Sequence, residues 1–190
     1  MTKTRFLLGV IALGVVICCS NCITIEIHRG GVHSGFNELT LSEKKRIVFT
    51  EDITHINNAS DSVVFSITPD KLKRYMNQFD RCLVYFWNAT CSSPYWKSPI
   101  VVQDYCKKNN LHLILIVNHY DHVKKLFDIN SSLKQPVFVM NASHYETDKC
   151  RKYVPKFRRE FLGDIDKKHH INYWIYYHGM FEKCLDLEEN

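Results

Sequence analysis

Residues 85–99, with the sequence YFWNATCSSPYWKSP, place a single cysteine between two segments of different character. Residues 82–87 (CLVYFW) form an almost continuous apolar run, which is typical of a β-strand buried on both faces. The segment from about Ser93 to Lys108 has the pattern of a helix. The sequence therefore predicts that Cys91 lies at the N-terminus of a helix that follows a central strand.

The alternation of strand and helix continues on both sides of this stretch. Thr68 and Pro69 are predicted to begin one helix as its N-cap and first residue, and a later helical segment is expected to be interrupted at Pro155. The predicted strands are residues 61–68, 82–87, 111–117 and 136–140, followed by a terminal hairpin that turns at His178 and Gly179. This order predicts an α/β fold with a mostly parallel sheet and helices on both faces.

The first 18 residues have the pattern of an export signal. Two basic residues precede the apolar run 6–19 (FLLGVIALGVVICC), which is shorter than the ~20 residues of a membrane-spanning helix. The cysteines at its end, Cys18 and Cys19, resemble the lipid attachment site of bacterial lipoproteins; ordinary cleavage and an uncleaved anchor are the alternatives. Each alternative places the protein on the periplasmic or extracellular face of a membrane, where disulfides persist.

Three parts of the chain are expected from this pattern. Residues 1–18 are the leader, and residues 19–60 are an N-terminal extension that packs only in part. Residues 61–185 form one domain, since 190 residues suffice for a single core and a leader.

Charge and motifs exclude several function classes. The net charge is +5, but the basic residues are scattered, which favours solvated faces over a nucleic-acid surface. No glycine-rich phosphate loop or paired-carboxylate site stands out, so no cofactor is expected. His119 and His122 would share one helix face, and we interpret them as a solvated helix start rather than a metal site.

The residues around Cys91 resemble the thioredoxin superfamily, in particular its exported, membrane-associated thiol-disulfide oxidoreductases. Those proteins carry an aromatic-Trp pair, three residues, the motif C-x-x-C, and a proline five residues later. This chain has Phe86-Trp87 and Cys91 in the same frame, followed by Pro99, but Pro94 replaces the second cysteine. The resemblance implies a thioredoxin-like central sheet flanked by helices, with an N-terminal extension and an insertion near 145–168 before the last strands.

The resemblance also implies a substrate edge. In the family, a cis-proline opens a later strand beside the active cysteine, and Pro136, preceded by Gln135, would take that place. Trp87 and Pro94 would frame the thiol. These four residues are the expected substrate-binding residues.

Cys91 is the candidate catalytic residue, because the N-terminus of a helix favours a thiolate. No cysteine is placed to resolve its mixed disulfides: Cys82 and Cys106 should each lie ~20 Å away, at the far ends of the strand and of the helix. Those two are predicted to be neighbours and are a candidate structural disulfide. Cys150 and Cys184 are a second candidate pair, although sequence alone does not fix the connectivity.

Three interpretations of Cys91 remain open at this stage. It is a one-cysteine redox site that forms mixed disulfides with a protein or low-molecular-weight thiol partner. Alternatively, the chain is a non-catalytic thioredoxin-like binding or scaffold module anchored at the cell envelope. In the third interpretation, Cys91 is packed and inert, and the function lies in the extension or the insertion.

Overall fold

The computed structural model describes residues 33–49, 53, 56, 63–91, 96–129, 132–163, 173–185 and 187. The leader with Cys18 and Cys19, and Pro94 in the Cys91 motif, lie outside the described residues. Within them, the chain forms a mixed α/β fold in which a seven-stranded sheet is flanked by helices. The predicted α/β class is therefore confirmed.

The sheet has the strand order β1-β2-β5-β4-β3-β6-β7. The strands are β1 (Ile47–Val48), β2 (Val64–Ile67), β3 (Arg81–Trp87), β4 (His112–Val117), β5 (Val137–Met140), β6 (Tyr173–Tyr177) and β7 (Met180–Cys184). Strands β1 to β5 run parallel to one another, whereas β6 and β7 form an antiparallel hairpin against β3. The hairpin turns at His178 and Gly179, both with positive φ, as predicted.

The helices pack on both faces of the sheet. They are α1 (Leu41–Lys44), α2 (Pro69–Met76), α3 (Pro99–Lys108), α4 (Tyr120–Ile129) and α5 (Cys150–Leu162). Side chains of β3 alternate between two cores, with Val84 and Phe86 facing α2 and α5, and Leu83 and Tyr85 facing α3 and α4. Each face of the central strands is thus buried, which explains their continuous apolar runs.

Helix α5 is the segment expected to be an insertion interrupted by a proline. It is instead one continuous helix that contains Pro155, and it packs through Tyr153, Phe157 and Phe161 into the core. Pro155 lies on the exposed face of this helix, where water can satisfy the carbonyl group that loses its backbone hydrogen bond. The expected insertion is therefore the helical connection between β5 and β6.

Part of the expected N-terminal extension packs against the sheet. Strand β1 pairs with β2, and Leu39 and Ile47 are buried in the same core as α3 and α4. The short helix α1 is closed by a capping box between Thr40 and Glu43. Residues 33–49 are thus packed as part of the α/β fold.

Among the described residues, no helix is both long enough and apolar enough to cross a bilayer.

Candidate functional site

Two groups of polar and nucleophilic side chains lie where the parallel strands end. In open α/β sheets, ligands bind outside the carboxyl ends of the strands. The first group follows β3 and is called here the Cys91 turn (residues 88–91). The second follows β4 and β5 and is called the Cys150 cluster (Asn118, His119, His122, Cys150 and Tyr153).

Hydrogen bonds from side-chain and backbone groups hold the Cys91 turn in place. Asn88 Oδ1 accepts hydrogen bonds from the Thr90 backbone N–H at 3.0 Å and from Thr90 Oγ1 at 2.8 Å. The Cys91 N–H donates to Asn88 O at 3.3 Å, and Lys125 Nζ donates to Ala89 O at 3.0 Å. Cys91 is a half-buried thiol that takes part in no disulfide. The turn therefore places a cysteine that is only partly buried at the carboxyl end of a central strand.

Helix α3 begins at Pro99, whereas the sequence predicted a helix that starts near Ser93, directly after Cys91. Before α3 begins at Pro99, Tyr85 O–H donates to Lys97 O at 2.7 Å, and Lys97 N–H donates to Tyr173 Oη at 3.1 Å. These two bonds hold the chain outside the helix. Because the helix dipole acts only within the first turn, it does not provide the thiolate stabilisation expected at Cys91.

Pro136 does not take the place of the expected cis-proline. The peptide bond before it is trans, and its strand, β5, pairs with β2 and β4. Strand β4 therefore separates it from β3, the strand that leads to Cys91. Gln135 Oε1 is buried there without a hydrogen-bond partner. Trp87, the other described residue of the expected substrate edge, is half-buried and packs against the core of α3 and α4.

The candidate disulfides are not formed. All five described cysteines are thiols: Cys82, Cys91, Cys106, Cys150 and Cys184. Cys82 and Cys106 lie near enough for Cys82 to contribute to the raised pKa of Cys106, but they belong to the cores on opposite faces of the sheet. Burial is the main reason that each has a pKa of about 12. This disulfide was predicted from the proximity of the two residues, but side chains alternate along β3, and Cys82 points away from α3.

The Cys150 cluster combines residues that are distant in sequence. Cys150 is the first residue of α5, and its Sγ donates to His33 O at 3.1 Å. The same sulfur lies 3.4 Å from His119 Nδ1 and 3.2 Å from Tyr153 Oη. Tyr153 O–H in turn donates to Asn118 O at 2.8 Å, at the end of β4. The arrangement is a thiol-imidazole pair at a helix N-terminus.

Burial keeps this pair uncharged. It raises the pKa of the Cys150 thiol to about 11 and lowers the pKa of His119. His122, whose ring centroid lies 4.5 Å from that of His119, is 4% exposed and has a pKa lowered to about 3, mainly by burial. The interpretation of His119 and His122 as a solvated helix start is therefore wrong. Cys150 is thus a neutral thiol and His119 a neutral imidazole in the folded protein.

Sequence reasoning missed the association of Cys150 with the two histidines. The His-x-x-His spacing directly after a buried strand was the one available signal. Cys150 follows β5 and His119 follows β4, so the two residues meet only because these strands are neighbours in the sheet, which no local pattern shows. Among the described residues, no group of three or more His, Cys, Asp or Glu side chains is arranged to hold a metal ion.

A cleft of about 480 Å³ adjoins the Cys150 cluster. Residues from four segments line it: Ser34, Phe36, Asn37, Phe49, Tyr120, Ala142, Ser143, Glu146, Thr147 and Asp148. Tyr120 follows β4, and Ala142 to Asp148 follow β5, so the cleft lies at the carboxyl edge of the sheet.

The chain was compared with known proteins of three kinds. It matches no family model, and neither a characterised protein nor a solved structure is significantly similar to it.

Proposed function

We propose that this protein is an exported, thioredoxin-like protein that forms mixed disulfides through Cys91. The observation that carries the proposal is the accessibility of this thiol at the end of the central strand β3. Cys82, Cys106 and Cys150 are buried, and their pKa values are raised by burial. Disulfide exchange requires a thiolate that can reach its target. Of these four thiols, Cys91 is therefore the one to which we assign the exchange.

The proposed exchange proceeds in two balanced steps. The Cys91 thiolate attacks one sulfur of a substrate disulfide, and the substrate S–S bond breaks as the new S–S bond forms. The other substrate sulfur leaves as a thiolate. A low-molecular-weight thiol then attacks the substrate sulfur of the mixed disulfide, which releases Cys91 as a thiolate.

The compartment is part of the same proposal. The basic and apolar pattern of residues 1–18 supports export, with Cys18 or Cys19 as the lipid attachment site at the envelope. An oxidising compartment would supply the disulfide substrates, and the low-molecular-weight thiol of the second step is a separate partner that the proposal requires.

A non-catalytic thioredoxin-like binding module is the second candidate function. It is favoured by two observations at the expected active site: α3 begins only at Pro99, and Pro136 follows a trans peptide on a strand not paired with β3. In the family that the Cys91 motif resembles, an active thiol site ordinarily has a helix that begins at the cysteine and a cis-proline beside it. Reactivity of Cys91 separates the two candidates.

The test is incubation of the reduced full-length chain with oxidised glutathione, followed by peptide mapping. We expect glutathione on Cys91, and we expect the Cys91→Ser variant to lose that adduct. Cys184→Ser is the matched control, because Cys184 is the other described thiol that is only partly buried, and burial raises its pKa. An unmodified Cys91 under conditions that modify unfolded chain would overturn the thiol function and favour the binding module.

A further inference from the structure

We propose that the cleft between the carboxyl ends of β4 and β5 binds a small organic cation with an aromatic body, an arylalkylamine in chemical class. This ligand site is separate from Cys91 and does not depend on thiol chemistry there. Its position, its aromatic wall and its acidic rim each support the proposal.

The cleft lies at the topological switch point of the sheet. From β4 the chain enters α4 on one face, whereas from the adjacent β5 it enters α5 on the other face. Connections that leave neighbouring parallel strands in opposite directions open a crevice, and ligands of α/β proteins bind in such crevices. The Cys91 turn follows β3, whose connection α3 lies on the same face as α4, so no such crevice opens between those strands.

One wall of the cleft is aromatic. The ring centroid of Phe36 lies 5.0 Å from that of Tyr120 and 5.7 Å from that of Phe49. Phe49 is 52% exposed, so this wall presents apolar surface to solvent. The ammonium group of Lys44 lies 5.5 Å from the Phe36 ring centroid, so one ring of this wall already faces a cation of the protein itself.

Two acidic residues also line the cleft. They are Glu146 and Asp148, and the Asp148 carboxylate is paired with His33 Nδ1 at 2.6 Å. Glu146 has a φ of 52°, a left-handed conformation that glycine adopts more easily. A charged side chain therefore stands at a strained position beside the cleft, as is common at binding sites. Its exposed carboxylate is the group we assign to the ligand ammonium.

Hydrogen bonds fix the walls in advance. Ser34 N–H donates to Asp148 O at 2.6 Å, and Tyr120 N–H donates to Ser34 O at 2.7 Å. Cys150 Sγ donates a hydrogen bond to the backbone carbonyl of His33. The segment that carries Phe36 is thus fastened to both strand ends, so a ligand would meet a preformed cleft and lose little affinity to ordering.

Size and polarity narrow the ligand class. A volume of about 480 Å³ lies within the range of small-molecule sites and admits an aromatic amine. Hydroxyl groups of Ser143 and Thr147 add neutral hydrogen-bonding partners. An anionic body would meet Glu146 and Asp148, so the same rim disfavours carboxylate ligands.

The test is calorimetric titration of the full-length chain with tryptamine and with indole-3-acetate, which share a ring system and differ in charge. We expect tryptamine to bind at least about tenfold more tightly, as like-charge contacts disfavour the acid. Glu146→Gln should weaken tryptamine binding about threefold, the scale of an exposed ion pair. Phe49→Ala should weaken it by a similar factor, because the ligand ring loses an aromatic contact.

The control variant is Asp104→Asn, which removes one exposed negative charge from α3, away from the lining residues. It should leave tryptamine affinity unchanged. Equal affinity for the two ligands, no tryptamine binding, or an unchanged affinity in both cleft variants would overturn the proposal. Because Glu146 and Phe49 are both exposed, their substitution leaves the buried cores intact.

Discussion

The Cys91 turn and the Cys150 cluster each present a cysteine at the carboxyl edge of the same sheet. Cys150 has two features that favour a reactive thiolate, namely a helix N-terminus and an imidazole 3.4 Å from its sulfur. Near Cys91, helix α3 begins only at Pro99, later than the predicted start directly after this cysteine. Solvent access is distributed in the opposite way: Cys91 is half-buried, whereas Cys150 is 7% exposed.

The difference teaches that desolvation decides between these two thiols. Burial raises the pKa of Cys150 to about 11 in spite of the helix N-terminus and the nearby tyrosine hydroxyl, which stabilise a thiolate. Asp121 adds to the shift by electrostatic repulsion. Cys150 is thus held inactive in spite of its activating neighbours, and Cys91 is the more exposed of the two residues.

The largest expected effect is the protection of Cys150 from alkylation. A pKa of about 11 leaves a thiolate fraction at pH 7 about 300-fold lower than that of a free cysteine with a pKa near 8.5. We therefore expect iodoacetamide to modify Cys150 at least about 300-fold more slowly in the folded chain than in guanidinium. Peptide mapping against time measures this ratio, and the same experiment should show much weaker protection of Cys91.

The comparison would fail if Cys150 and Cys91 were modified at similar rates in the folded chain. Cys106 provides the reference for a thiol buried without an imidazole partner, since its pKa is also raised mainly by burial. Faster reaction at Cys150 than at Cys106 would mean that His119 activates the sulfur after all.

The second prediction concerns acid sensitivity on the Cys150 side. The pKa of His122 is lowered to about 3, mainly by burial and further by His119 and Lys125. Below pH ~6.5 the unfolded chain binds a proton at this ring that the folded chain does not, so the free energy of unfolding falls as the pH falls towards 3. The contribution of one such group is about 1.4 kcal/mol per pH unit.

The variant His122→Gln should therefore reduce the pH dependence by about 1.4 kcal/mol per unit between pH 6 and pH 4, measured by urea unfolding. Ser66→Ala is the control: it removes a buried hydrogen bond of 2.9 Å to Tyr120 without removing an acid-titrating group. It should lower stability by about 1 kcal/mol equally at each pH. An unchanged slope in His122→Gln would mean that the ring is not held neutral by burial.

The α/β class was predictable because the apolar composition of each main strand indicates that the strand is buried. The apolar runs at 82–87 and 111–117 predicted β3 and β4, and the Thr68-Pro69 pair marked the start of α2. Such signals are local, and strand-helix alternation then favours a mostly parallel sheet. The strand order is not local, which is why Pro136 was assigned to a strand beside β3.

The errors at the site have the same origin. Tyr85 and Tyr173 hold residues 96–98 outside the helix, although these residues directly precede it. Cys150 meets His119 only because β5 and β4, the strands that precede them, are neighbours in the sheet. Long-range contacts of this kind leave no periodic pattern, so the sequence indicated the Cys91 turn and missed the Cys150 cluster.

The smallest expected effect tests whether backbone strain belongs to the second region. The described residues of the Cys91 turn have no positive φ, whereas Glu146, beside the cleft, has a φ of 52°. Glu146→Gly should stabilise the fold by about 0.5–1 kcal/mol, because relief of a left-handed conformation outweighs the greater freedom of glycine in the unfolded chain. Asn110→Gly is the matched control at the same φ, and it should gain less, since asparagine tolerates this conformation. Equal gains in urea unfolding would make the strain at Glu146 an ordinary feature of a turn. A larger gain at Glu146, combined with loss of tryptamine binding, would mean that stability is given up there to keep a carboxylate at the cleft.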